Sequence, residues 1–355
     1  MDTEADERLR LICTAEETCQ WRTRAGIDSL LLHKARFVDA TDGEWFLFNN
    51  NHLGKEVVRV GPPTQAKHQD TVLPMFQQIN LDKTKAWLSQ FCSSQNRYYD
   101  STSGRDAALW LFSQAQALSA VVDPTIATLS VRQIPHAWMQ PSIIVRLDPI
   151  SADASLPIVV LSAHLDSINA QSPKKGRAPG AEDDGSGSAT IFEVLRILAT
   201  TKFQPRRPIE FHWYSGEEEG LLGSQKVVAA YKANRTSIAG VWHADETGYT
   251  PKGKAPKIGV SQDHVDKPLS AFLRTLLVEY VTGVTVVDEV CGYACSDHAS
   301  WTRAGFPATY LFDALMREAP DFTHSEDDGL DKIVWSHLER FVRIGLAFAI
   351  ELSLS

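Results

Sequence analysis

From Pro63 onward, short apolar runs of strand length alternate with segments of helical period, and this alternation limits the fold more than any other feature. Ser142–Leu147, Ile158–Leu161, Ile209–Tyr214, Ser237–Ala244, Lys257–Val260 and Pro307–Leu311 read as strands. Asp82–Cys92, Gly104–Leu118, Ser186–Leu198, Leu222–Tyr231, Pro268–Val281 and Lys332–Leu352 read as helices. In the helix that opens at Ser186, apolar residues recur at Ile191, Val194, Leu195 and Leu198, the spacing of one helix face. Strands that alternate with helices of this length build an α/β fold: a mixed, mainly parallel central sheet with helices on both faces. In open sheets of this kind, sites form beyond the carboxyl ends of the strands.

Residues 1–65 break the pattern. A helix is expected near Thr23–His33, then a Gly-containing turn, then Asn49-Asn50-Asn51 and the breaker Gly61-Pro62-Pro63. We read 1–65 as a small N-terminal appendage and 66–355 as the main domain. The chain carries 44 acidic and 35 basic residues, a formal charge of −9, which argues against nucleic acid as a partner. No run approaches the length of a membrane span. Five cysteines are too few for a disulfide-built scaffold, and the C-x-x-C spacing of a zinc ribbon is absent. Cys291 and Cys295 are close enough in sequence for a local disulfide, which would argue for an oxidising compartment.

Four segments carry chemistry where strands should end. In Ala163-His164-Leu165-Asp166-Ser167, His164 and Asp166 are two apart and point to one side of an extended chain. In Gly180-Ala181-Glu182-Asp183-Asp184-Gly185, adjacent carboxylates repel each other unless a cation relieves them. The plainer reading is a helix cap by Asp184 or Ser186. Glu217-Glu218-Glu219 follows the strongest strand, and adjacent glutamates can divide the work of metal ligand and base. Helix-dipole stabilisation is the bland account there. The fourth is Cys295-Ser296-Asp297-His298, with His243, Asp245 and His324 elsewhere. Among 11 histidines several are structural. No H-E-x-x-H helix, Walker A loop or G-x-S-x-G elbow is present. Metal-assisted chemistry with mixed histidine and carboxylate ligands is what remains, and such ligands suit zinc.

Taken together, these strings resemble the two-zinc exopeptidases of the bacterial leucyl aminopeptidase type, including secreted fungal leucine aminopeptidases. The likeness lies in Ala163–Ser167, Ala178–Gly187, Glu217–Gln225, Cys291–Trp301 and Asn96-Arg97-Tyr98-Tyr99, and spans about residues 65 to 355. It implies a zinc-exopeptidase-like fold and a metal-dependent aminopeptidase with two zinc ions per chain. His164 and Asp245 would hold one ion, Glu218 and His324 the other, and Asp183 would bridge them. Glu217 would be the general base, Asp166 would orient the His164 site, and Tyr293 would hydrogen-bond the developing oxyanion. The resemblance also implies a Cys291–Cys295 disulfide and a cis peptide between Asp183 and Asp184. Tyr293, Tyr310, Phe312 and Met316 would line a pocket for an apolar first side chain. Where the family has methionine after the ligand aspartate, this chain has Glu246, which would suit a basic side chain if it faced the pocket.

The expected partners are peptides with a free N-terminus, with no nucleic acid and no membrane, and the expected state is a monomer. The expected location is extracellular, with a signal peptide removed. Glutaminyl cyclase-like or carboxypeptidase activity, or a non-catalytic peptide-binding module, are the rival readings. The full ligand set disfavours the cyclase, and retention of Glu217 disfavours the module. Residues 1–65 occupy the place of a prosegment. Their apolar residues, Leu9, Leu11, Ile12, Leu30, Leu31, Leu32, Phe37, Trp45, Phe46 and Phe48, are too few for a core of their own and should bury against the main domain. There the segment would limit access to the site until cut near Pro63.

Overall fold

The computed structural model describes residues 8–15, 18–47, 61–150 and 156–355. Near the N-terminus are β1 (Arg10–Ala15), β2 (Thr18–Arg22), α1 (Arg24–Leu32), β3 (Val38–Asp39) and α2 (Glu44–Leu47). Next come α3 (Gln69–Phe76), α4 (Leu81–Phe91), α5 (Thr102–Ser119), β4 (Ala127–Ile134), β5 (Ser142–Pro149) and β6 (Ile158–His164). An irregular turn at residues 181–186 leads into α6 (Gly187–Thr200), followed by β7 (Ile209–Tyr214), α7 (Leu222–Ala233) and β8 (Ile238–Ala244). The chain ends with β9 (Lys257–Ser261), α8 (Lys267–Tyr280), β10 (Thr285–Glu289), α9 (His298–Arg303), β11 (Ala308–Phe312) and α10 (Trp335–Leu354).

Eight strands form one sheet in the order β10-β9-β11-β8-β6-β7-β5-β4. Its centre is parallel, β11 with β8, β8 with β6 and β6 with β7, and β10 also runs parallel to β9. β4, β5 and the β9–β11 junction are antiparallel. Side chains alternate between two cores, as strand geometry requires. Val159, Leu161 and Ala163 of β6 and Phe211 and Trp213 of β7 face α4, α5, α6, α8 and α10. Ile158, Val160 and Tyr214 face α7 and α9. The sheet is therefore covered on both faces, as the alternation predicts.

Edge strands β4 and β10 carry no continuous apolar run, and their alternating or half-exposed patterns hide them from sequence reading. Helix α3 contains Pro74, a helix-breaking signal, and is likewise not anticipated. The last helix begins at Trp335, three residues later than expected, because Leu330–Lys332 forms its own short turn.

The N-terminal region holds more structure than one helix. β1 pairs with β2 and β3 in a three-stranded sheet, and a Cys13–Cys19 disulfide staples the β1–β2 hairpin. Among the described residues it has no core of its own. Ile12, Ile27, Leu31 and Phe37 pack with Tyr98 and Ile168, and Cys13, Val38 and Trp45 pack with Leu221, Ala294 and Ala299. Leu9, Leu32 and Phe46 remain exposed, and Phe48 and Asn49-Asn50-Asn51 lie outside the described residues. Among the described residues no helix is long and apolar enough to cross a membrane.

Candidate metal centre

Each expected ligand sits at a strand end or on the loop that follows it. His164 is the last residue of β6, and Asp245 directly follows β8. Glu217 and Glu218 lie in the turn between β7 and α7, and Asp183 lies in the turn before α6. His324 arrives from the long connection between β11 and α10, with a left-handed φ of 60°.

These side chains converge into two groups, His164–Asp183–Asp245 and Asp183–Glu218–His324, which share Asp183. His164 Nε2 stands 3.0 Å from Asp183 Oδ1 and 3.4 Å from Asp245 Oδ1. His324 Nε2 stands 2.8 Å from Asp183 Oδ2 and 2.9 Å from Glu218 Oε2. The two oxygens of Asp183 thus face different histidines, the disposition a bridging carboxylate needs. Burial in the protein without a hydrogen-bond partner is costly for a polar atom. Among the described residues, His164 Nε2, Glu218 Oε1 and Asp245 Oδ1 are all buried without a hydrogen-bond partner, and His164 Nε2 and Asp245 Oδ1 lie within one of the two groups. A hard or borderline cation satisfies such atoms, and mixed histidine and carboxylate donors fit zinc.

The protonation states agree. Burial opposes charge on His164 and His324, yet the surrounding carboxylates, Asp245 for one and Glu218 for the other, hold both well above the usual histidine range. Burial, with Asp183 beside it, pushes Glu218 up to about 7. Burial and then the charges of Asp297, Asp245 and Glu218 hold Glu217 well above the usual carboxylate range, against the pull of His164. Protons therefore occupy positions that a cation would otherwise neutralise.

Asp166 sits beside His164 and also holds the backbone at the end of the next strand. Its Oδ1 is 3.6 Å from His164 Nδ1, too long for a hydrogen bond, and Nδ1 has no partner. Its firm bonds are to backbone: Oδ1 accepts from Glu217 N at 3.1 Å and Oδ2 from Glu218 N at 3.2 Å. Asp166 thereby fixes the turn that presents base and ligand. Tyr293 is half-buried on the Cys291–Cys295 loop, which a disulfide closes. It lies in the electrostatic field of Glu217, Asp245 and Glu246, and Arg36 stacks over its ring at 4.6 Å. Of the expected pocket residues, Tyr310 and Phe312 are buried and Met316 half-buried. Tyr310 also donates from its hydroxyl to the Asp245 carbonyl at 3.2 Å.

Several supporting residues have no signature in sequence. Arg97 is fully buried and donates to the carbonyls of Leu165, Pro179 and Gly180, tying the β6 loop to the turn that carries Asp183. Asp328 accepts from Glu182 N at 2.8 Å and Asp183 N at 3.1 Å. Asp184 accepts from His164 N at 3.1 Å and Gly187 N at 2.8 Å, and its peptide bond to Asp183 is cis. Ser296 donates to Asp245 Oδ2 at 2.6 Å, and His243 Nε2 lies 2.8 Å from the same hydroxyl. The segment Cys295–His298 offered a hint of Ser296. Arg97 lay in a string quoted for its likeness alone, and Asp328 gave no hint at all.

Comparison with known proteins places this geometry. The model of "Peptidase family M28" matches residues 142–349, more than half of the chain. A "Probable leucine aminopeptidase" of Arthroderma benhamiae is 35% identical over 349 residues, covering 97% of this chain and 92% of the relative. "Leucine aminopeptidase 1" of Penicillium rubens is 35% identical over 355 residues, covering 97% and 89%. The crystal structure of the LapA aminopeptidase of Legionella pneumophila superposes with a TM-score of 0.85 at 27% identity, over 98% of both chains. A match of this extent, on a sheet whose strand ends gather the expected ligands, shows that the chain belongs to peptidase family M28.

Proposed function

We propose that the protein is a zinc-dependent aminopeptidase that hydrolyses the N-terminal peptide bond of peptides, with two metal sites and Glu217 as general base. The carrying observation is the pair of ligand groups that share Asp183, with Glu217 adjacent to one of their members. The relatives named leucine aminopeptidases support the exopeptidase reading, and a zinc aminopeptidase of Bacillus subtilis shares the fold.

His164 and Asp245 would hold one ion, Glu218 and His324 the other, and Asp183 both. Bound zinc would supply Lewis acidity, lowering the pKa of water and polarising a carbonyl. Glu217 takes the proton of the attacking water and passes it to the leaving amine. The Tyr293 hydroxyl donates to the carbonyl oxygen as charge builds there. Asp166 and Asp328 keep the ligand loops in register throughout. Two disulfides, Cys13–Cys19 and Cys291–Cys295, support an extracellular setting.

The test is a panel of aminoacyl-arylamides with and without an N-acetyl block. Unblocked substrates should be cleaved with zinc, lose cleavage in chelator and regain it on zinc addition. Cleavage of the blocked series at equal rate would sink the aminopeptidase reading.

The first side chain should be apolar, with Glu246 modulating the choice. Glu246 is half-buried with a left-handed φ of 52°, in the field of Asp183, Asp245 and Glu182, and it acts in turn on Tyr293 and Tyr310. Glu246→Met should raise the kcat/KM ratio of leucine- to lysine-arylamide by about tenfold, the scale of one pocket contact. A ratio that does not move would show that this carboxylate faces away from the first side chain.

A further inference from the structure

Glu219 follows the base and the ligand directly, and its carboxylate is fully buried without belonging to either metal group. Its two cationic partners come from the N-terminal segment, and Tyr98 of the main domain completes the set. Oε2 accepts from Arg10 Nη1 at 2.9 Å and Arg24 Nη1 at 2.7 Å, and Oε1 accepts from Arg24 Nη2 at 2.9 Å and the Tyr98 hydroxyl at 3.1 Å. Arg10 also donates to the Glu219 carbonyl at 2.7 Å. Burial pushes Glu219 up, but the charges of Arg24 and Arg10 overcome it and hold the group below the usual carboxylate range.

A second set of contacts seats the same turn on β3. Asp39 N donates to the Gly220 carbonyl at 3.1 Å, and Gln225 Nε2 donates to the Asp39 carbonyl at 2.9 Å. Gly220 has φ of 103°, and a Cβ there would stand 2.4 Å from Asp39 N, so the turn and the strand are fitted backbone to backbone.

A docked N-terminal segment can act as a plug or as a brace, and these contacts favour the brace. We propose that Arg10 and Arg24 are positioning residues for Glu217 and Glu218, and that the N-terminal segment is a lasting part of the working site. The proposal rests on the aminopeptidase reading above. Its physical basis is that a buried carboxylate that loses a cationic partner carries uncompensated charge in the interior and is drawn toward water, which moves the turn. A shift of about 1 Å in a catalytic group costs on the order of 100-fold in rate.

The experiment uses the full chain. Arg24→Met should keep the fold, lower kcat by about 10- to 100-fold with little change in KM, and release zinc to a chelator sooner. The same substitution in a Glu219→Gln background should cost several-fold less on both readouts, because no buried carboxylate is then left with only one of its two cations. Wild-type kcat and chelator resistance in folded Arg24→Met would overturn the proposal, as would equal losses in both backgrounds. Chelator release reads the position of Glu218 without any substrate, so a chain that cleaves no arylamide refutes the activity and not the brace. Should Arg24→Met fail to fold, a single cut at Gly61–Pro63 of the wild-type chain decides. Activity that stays with the bound N-terminal piece supports the brace. Activity that rises when the piece dissociates overturns it.

Discussion

Glu217→Gln should lower kcat by about 10²–10⁴ while the zinc content stays at the wild-type level. The substitution removes a proton acceptor and keeps the shape. Glu217 is absent from both ligand groups, so metal should remain. Its backbone N–H is held by Asp166, so the turn should keep its place. The pH profile adds a second readout. As the base, Glu217 acts in its ionised form, so the ascending limb of the rate profile should change in Glu217→Gln. Turnover should be read at saturating substrate beside metal analysis of the same sample. Wild-type turnover in a zinc-loaded variant would assign the base elsewhere.

Zinc binding should release protons and strengthen as pH rises, with activity falling below about pH 6. In the metal-free protein, His164 and His324 have raised pKa values because carboxylates surround them. A raised histidine contributes stability that is full below its unfolded value of about 6.5 and is lost as pH rises through the folded value. The metal-free protein should therefore gain stability from this pair in acid. Ligation demands the opposite state, neutral histidine and ionised Glu218, the latter pushed up to about 7. Acid thus favours the proton-filled site and neutral pH the metal-filled one. Calorimetry of zinc addition in two buffers of different ionisation heat measures the protons released. Zinc uptake with no proton release, or full occupancy at pH 4, would contradict the coupling.

Much of this protein was legible in its sequence because the information is local. The parallel centre of the sheet shows in apolar runs buried on both faces, such as Ile209–Tyr214, whose residues are all buried. The candidate metal ligands show because such sheets place strand ends together, and histidine and carboxylate are conspicuous there. His164, Asp183, Glu218, Asp245 and His324 do meet. What tertiary structure alone decided is how that centre is held. Arg97, Asp328, Arg10 and Arg24 act on groups far along the chain, with Arg10 and Glu219 209 positions apart. A charged residue that binds a distant backbone carbonyl or amide has the same local pattern as one facing water. Asp166 illustrates the limit: its spacing from His164 suggested a shared site, and only the folded chain shows that its oxygens also accept from the Glu217 and Glu218 amides. Sequence determined which chemistry gathers at the strand ends, since residue type and period are written along the chain. Only the fold decided which buried charges are paired across it, because that depends on distances no local pattern encodes.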